Sequence, residues 1–76
     1  MRIVDIFTTK NGVFAYCIDE NISDNFDCQA ISAKGEEIAV RAYEILTSMG
    51  GSKSIVLQLD VGKENKNWLG EVKIIR

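Results

Sequence analysis

Residues 3 to 9 (Ile-Val-Asp-Ile-Phe-Thr-Thr) and 13 to 18 (Val-Phe-Ala-Tyr-Cys-Ile) form two mainly apolar runs of β-branched and aromatic side chains, the composition of strands. Asn11-Gly12 stands between them, the strongest short signal for a hairpin. A two-residue turn at Asn11 and Gly12 pairs Lys10 with Val13, and so sets Phe7 opposite Tyr16, Thr9 opposite Phe14 and Ile6 opposite Cys17. A polar connection follows, and residues 26 to 31 alternate apolar and polar side chains as a third strand. With a four-residue turn, that strand brings Cys28 opposite Cys17 and Ala30 opposite Ala15.

From Gly35 to Met49 the apolar residues Ile38, Ala42, Ile45, Leu46 and Met49 recur at helical spacing, with Glu37, Arg41, Glu44 and Ser48 between them. Gly50-Gly51 ends the segment, Ser32 can cap its start, and Glu36 and Glu37 suit the positive first turn. Residues 54 to 61 (Ser-Ile-Val-Leu-Gln-Leu-Asp-Val) read as a central strand, and 68 to 75 as a fifth. The expected fold is therefore α+β, in the order β-β-β-α-β-β. A right-handed crossover lays strand four parallel to strand one, giving a single mixed sheet of order 3-2-1-4(-5) with one helix packed on one face.

One helix covers one face of such a sheet. Small side chains at Val4, Ala15, Cys17, Cys28 and Ala30, with Ile6, make the natural helix-facing side. The opposite face then carries Ile3, Phe7, Phe14, Tyr16, Ile18 and Ile31, an apolar area larger than a monomer usually leaves bare. Three occupants offer themselves: the C-terminal segment with Trp68 and Leu69 as a plug, a second copy, or a foreign protein. Aromatic enrichment and the frequency of two-fold dimers favour the second copy, with Phe7, Phe14, Tyr16, Ile18 and Ile31 as the contact residues. Asp5 projects midway along the same face, where an unpaired carboxylate is costly unless it stays wet or a lysine such as Lys73 reaches it.

Composition narrows the class. At 76 residues there is room for one domain, which buries only about 60% of its unfolded surface. The chain is 46% hydrophobic and 26% charged, too apolar for intrinsic disorder. The net charge is −2, and the acid is concentrated early, at Asp5, Asp19, Glu20, Asp24 and Asp27 against Arg2 and Lys10. Residues 61 to 76 are basic, but too sparsely for a duplex binder, so a protein partner is expected rather than nucleic acid. Asp19, Glu20, Asp24 and Asp27 form a secondary acidic recognition element for a basic partner. No apolar run reaches membrane-spanning length and the first residues are not those of a secretion signal, so a cytoplasmic protein without membrane contact is expected.

Chemistry is sparse. With no histidine in the chain, no serine, cysteine or threonine can have a histidine base, and Cys/His zinc patterns are excluded. The segment 19 to 27 fails as a calcium loop, because Asp24 stands where glycine is needed and Ala30 where the bidentate glutamate belongs. Cys17 and Cys28 are expected to be buried thiols rather than a disulfide. No cofactor and no metal are expected.

The order of elements, together with Val4-Asp-Ile-Phe-Thr-Thr9, Glu36-Glu37 and Leu57-Gln-Leu-Asp60, resembles the first half of the ribonuclease H fold. In that family carboxylates at these three places hold two metal ions that activate water against a phosphodiester. Here the first position is Thr8 or Thr9, which leaves Glu37 (or Glu36) and Asp60. Antitoxins of the Hic family are similar in this partial fold, and some phage or mobile-element inhibitor proteins are similar in size and layout. These resemblances imply a non-catalytic binding role, with a degenerate metal-dependent nuclease or nucleic-acid-binding fragment as the alternative.

Overall fold

The computed structural model describes residues 1–19, 22 and 25–76 of the chain. Among these residues the fold is all-β apart from one 3-10 turn, Lys66–Trp68. Seven strands, β1 (Arg2–Thr9), β2 (Gly12–Ile18), β3 (Ala30–Ala33), β4 (Glu36–Thr47), β5 (Lys53–Leu59), β6 (Gly70–Glu71) and β7 (Lys73–Ile75), form one sheet in the order β6-β1-β2-β5-β4-β3-β7. Every pairing is antiparallel. Strands β3, β4 and β5 form a meander, and β2 returns to lie beside β5, a Greek-key arrangement.

The two ends of the sheet are joined by the same short stretch of chain. β6 pairs with β1 and β7 pairs with β3, with buried Val72 between them, so the C-terminal segment almost closes a barrel. Val72 N–H donates to the Met1 carbonyl at 2.9 Å, and Gln29 N–H to that of Ile75 at 2.9 Å. Near-closure of this kind leaves only the short strands β6 and β7 at the sheet edges, which limits unwanted strand pairing.

The interior is filled by Ile3, Ile6, Val13, Ala15, Cys17, Ile31, Ala33, Ile38, Ile55, Leu57 and Leu59, with Phe26, Cys28, Trp68 and Val72 packed among them. This corrects the α+β expectation, and with it the resemblance to the ribonuclease H fold and to the Hic-family antitoxins that share part of it, since among the described residues no α-helix covers a sheet face. Residues 36 to 47 are the longest strand. Val40, Tyr43 and Ile45 lie opposite Leu59, Leu57 and Ile55 of β5, and a bulge between Val40 and Ala42 inserts one extra residue. The helical spacing of Ile38, Ala42, Ile45 and Leu46 arises because apolar residues occupy both faces of this strand, Ile38 and Ile45 on the inner side and Ala42 and Leu46 on the outer, with the bulge offsetting one set from the other. Lys34 (φ 53) and Gly35 (φ 83) form the two-residue type I′ turn that joins β3 to β4, so Ser32 and Glu36 are strand residues and cap nothing.

Other expectations shift as well. The first turn centres on Lys10 and Asn11, Thr9 pairs with Gly12, and Phe7 therefore faces Phe14, Ile6 faces Ala15 and Ile3 faces Cys17. Gly12 supplies a positive φ (129°) at the start of β2 instead of in the turn. The displacement is two residues from the expected register, so each β2 side chain keeps its face. β2 and β3 are not neighbours, and β5 lies antiparallel between β2 and β4 rather than parallel to β1. The stretch 68 to 75 is broken into the end of the 3-10 turn, β6 and β7.

Candidate protein interface

With alternate residues of β2 and β5 committed to the core, the others must point outward. Cross-strand pairing arranges these outer side chains in three rows over β1, β2, β5 and β4: Phe7–Phe14–Gln58–Ala42, Asp5–Tyr16–Val56–Glu44 and Arg2–Ile18–Ser54–Leu46. Phe7 is 38% exposed, Ile18 44% and Leu46 39%, and Phe14, Tyr16 and Val56 are half-buried. The Phe7 and Phe14 rings stack with centroids 5.7 Å apart and planes 17° from parallel.

The structure thus brings together Phe7, Phe14, Tyr16 and Ile18 of the expected contact residues, and removes Ile31. That side chain is fully buried in the barrel, opposite Ile38 and Ile74. Ile3 also leaves the aromatic face. A bulge between Ile3 and Asp5 lets both Ile3 and Ile6 point inward and pushes Val4 out to 44% exposure. The helix-facing side expected at Val4 and Ala30 is lost in the same way, because Val4 is exposed and Ala30 points away from the core that Ile31 enters. Asp5 stays wet at the surface and accepts the Ile6 N–H at 2.9 Å.

Ala42, Glu44, Leu46, Val56 and Gln58 belong to this surface and were missed by sequence reasoning. The signal was present in Ser54-Val56-Gln58, which alternate with the buried Ile55-Leu57-Leu59. Phe14, Ala42, Tyr43, Glu44, Val56 and Gln58 line a shallow depression of about 320 Å³. The Tyr43 hydroxyl donates to the Phe26 carbonyl at 3.0 Å, with the two rings edge to face at 5.1 Å. Gln58 Nε2 donates to the Asn11 carbonyl at 3.0 Å.

Trp68 plugs the barrel and not the aromatic face. It is buried, and its indole N–H donates to Glu36 Oε2 at 2.9 Å. Lys66 Nζ donates to the Ile6 carbonyl at 2.8 Å and sits 3.1 Å from Glu64 Oε2. This hydrogen-bonded ion pair holds the Glu64 carboxyl below its ordinary range. Lys73 is exposed on β7, which pairs with β3, and so does not serve Asp5.

Of the carboxylates that the nuclease reading named, two are engaged elsewhere, and Glu37 is exposed on β4 opposite Ser32. Asp60 accepts from Arg41 Nε at 2.8 Å, and Glu36 accepts from Trp68. Of the acidic recognition element, Asp19 is half-buried at the end of β2 and Asp27 is exposed, while Glu20 and Asp24 lie outside the described residues. Cys17 and Cys28 are buried free thiols. They are not cross-strand partners, since Cys17 pairs with Ile3 and Ile55. Burial, with Cys28 nearby, pushes the Cys17 thiol up to about 12.

Fold and surface together define a small, nearly closed Greek-key β-barrel whose outer face groups Phe7, Phe14, Tyr16, Ile18 and Val56 among polar residues. The chain matches no family model, no curated protein and no solved structure. Among the described residues, no helix is long and apolar enough to cross a membrane.

Proposed function

We propose that this protein is a non-catalytic protein-interaction module that self-associates through the outer face of β1, β2, β5 and β4. The observation that supports this reading is the grouping of Phe7, Phe14, Tyr16, Ile18, Val56 and Leu46 on the outer side of four adjacent antiparallel strands. Aromatic side chains with few rotatable bonds lose little entropy when a partner covers them, which is why such residues concentrate at interface centres. The free thiols fit a reducing, cytoplasmic setting.

Stacked rings also suit single-stranded nucleic acid. The middle row argues against that partner, because Asp5 and Glu44 stand at its two ends and would repel phosphate.

A dilution series followed by amide ¹H–¹⁵N spectra tests the proposal. Concentration-dependent shifts should cluster at Phe7, Phe14, Tyr16, Ile18, Val56 and Leu46. Shifts confined to β3, β7 and the 62 to 67 loop would move the interface elsewhere.

A further inference from the structure

Resting on that self-association, we propose that Met49 is its anchor: the Met49 side chain of one copy enters the depression between Val4, Ile18 and Leu69 of a second copy. The knob is built by the turn that joins β4 to β5. Ser48 N–H donates to the Ser52 carbonyl at 2.9 Å, Gly51 N–H donates to that of Ser48 at 3.0 Å, and the Ser48 and Ser52 hydroxyls stand 2.6 Å apart. These bonds close a short loop that presents Met49 fully exposed. Polar residues and glycine serve such a turn, so the methionine adds nothing to the loop and nothing to the core. Its unbranched thioether adapts to irregular apolar recesses, which suits it to contact.

The recess lies at the same end of the barrel. Arg2, Ile3, Val4, Ile18, Leu69 and Gly70 line a depression of about 430 Å³. The bulge between Ile3 and Asp5 turns Val4 out into it, and Gly70 has no side chain to fill it. Ile18 shares a cross-strand row with Ser54 and Leu46, and Met49 follows Leu46 by three residues. Five of the seven exposed large apolar side chains among the described residues, Val4, Ile18, Leu46, Met49 and Leu69, thus gather at one end of the molecule. Apolar residues scattered singly over a surface need no explanation, but a group of this kind marks a contact.

A second copy is the occupant because the chain carries both parts and joins neither within itself: Met49 is fully exposed and the recess is open. Convex barrel walls touch over a small area, and a projecting turn that fills a recess lets them bury more apolar surface without lying flat against each other. Arg2 at the rim stands cross-strand from Glu71, so the rim is charge-balanced and an uncharged side chain suits it better than an ion. In a closed dimer the contact forms twice, each copy giving one Met49 and receiving the other.

Sedimentation velocity on the wild type, Met49→Ser, Met49→Leu, Leu69→Lys and Tyr16→Asp tests the docking, with circular dichroism confirming that each is folded. Met49 and Leu69 are exposed and lie outside the core, so their substitution leaves the barrel packing intact. Met49→Ser and Leu69→Lys should each weaken the dimer by roughly tenfold or more, and Met49→Leu should stay within about threefold of wild type. In a mixture of isotope-labelled and unlabelled chains, NOEs between copies should join the Met49 methyl to those of Val4, Ile18 or Leu69. A Met49→Ser or Leu69→Lys protein that dimerises like the wild type, or Met49 NOEs to other residues of the second copy, overturns the docking. If both variants dimerise normally while Tyr16→Asp does not, the docking fails and the self-association stands. A wild type that is monomeric throughout overturns both.

Discussion

The indole N–H of Trp68 donates to the Glu36 carboxylate at 2.9 Å and ties the segment entering β6 to the first residue of β4. One contact thereby links the chain that closes the barrel to the hairpin it closes against. The Trp68 ring is buried with Val72 in the core. Its hydrogen bond and its bulk act at the same place.

Trp68→Phe keeps an aromatic ring but removes the donor, and is expected to lower stability by about 1–3 kcal/mol. Glu36→Gln keeps an acceptor and should cost less. Urea unfolding followed by circular dichroism checks both, and a Glu36→Gln loss as large as that of Trp68→Phe would show that the charge on the acceptor, rather than the bulk of the ring, dominates.

Lys34 occupies a left-handed conformation (φ 53) that a side chain with a Cβ adopts at a cost. Lys34→Asn should raise stability by about 0.5–1 kcal/mol, because asparagine tolerates this region and is favoured at the first position of a type I′ turn. A thermal melt would then rise by roughly 2–8 °C for a domain of this size. An unchanged or lower midpoint would mean that the turn is not of this type in solution.

Cys17 titrates at about 12 when folded, against an ordinary value of 9.0. A raised folded value means that the unfolded chain loses its proton first as pH rises. Stability from this group is complete below pH 9 and falls between 9 and about 12, by roughly 1.4 kcal/mol per pH unit within that window. Cys17→Ala should flatten that part of the stability curve relative to wild type, as read from urea midpoints at pH 8 and 10. In the native protein at neutral pH, a thiol reagent should modify Cys17 only as fast as the barrel opens.

Much of the strand content was legible in the sequence, because β1, β2 and β5 are dense in β-branched and aromatic or aliphatic residues. The inner and outer faces of β2 follow from Ala15 and Cys17 alternating with Phe14, Tyr16 and Ile18, and they survive the two-residue displacement of the first hairpin. The errors trace to bulges and turns. An inserted residue between Ile3 and Asp5 reverses the face of Ile3, and another between Val40 and Ala42 offsets the apolar residues on the two faces of a twelve-residue strand into a helical spacing. Lys34-Gly35 was a turn signal overlooked because lysine is uncommon at a positive φ. Closure by β6 and β7 depends on Gly70 to Ile75 pairing with strands more than forty residues earlier, which no local pattern records.

The outer-face residues on β4 and β5 were hidden by the same helix assignment. Once residues 36 to 47 are a strand, Ala42, Glu44 and Leu46 fall into rows with Gln58, Val56 and Ser54, and the apolar surface begun by Phe7, Phe14 and Tyr16 extends across four strands. Ile31 was assigned to that surface by carrying the alternation of β2 into a strand that β2 does not touch.

Light scattering coupled to size-exclusion chromatography, over a concentration series of wild type and Tyr16→Asp, tests the self-associating outer face most directly. The account predicts a wild-type mass that rises with concentration toward twice the 8.5 kDa chain, and a Tyr16→Asp protein that stays folded and monomeric. A wild type that remains at the mass of one chain at every concentration, or a Tyr16→Asp protein that dimerises equally well, would contradict it.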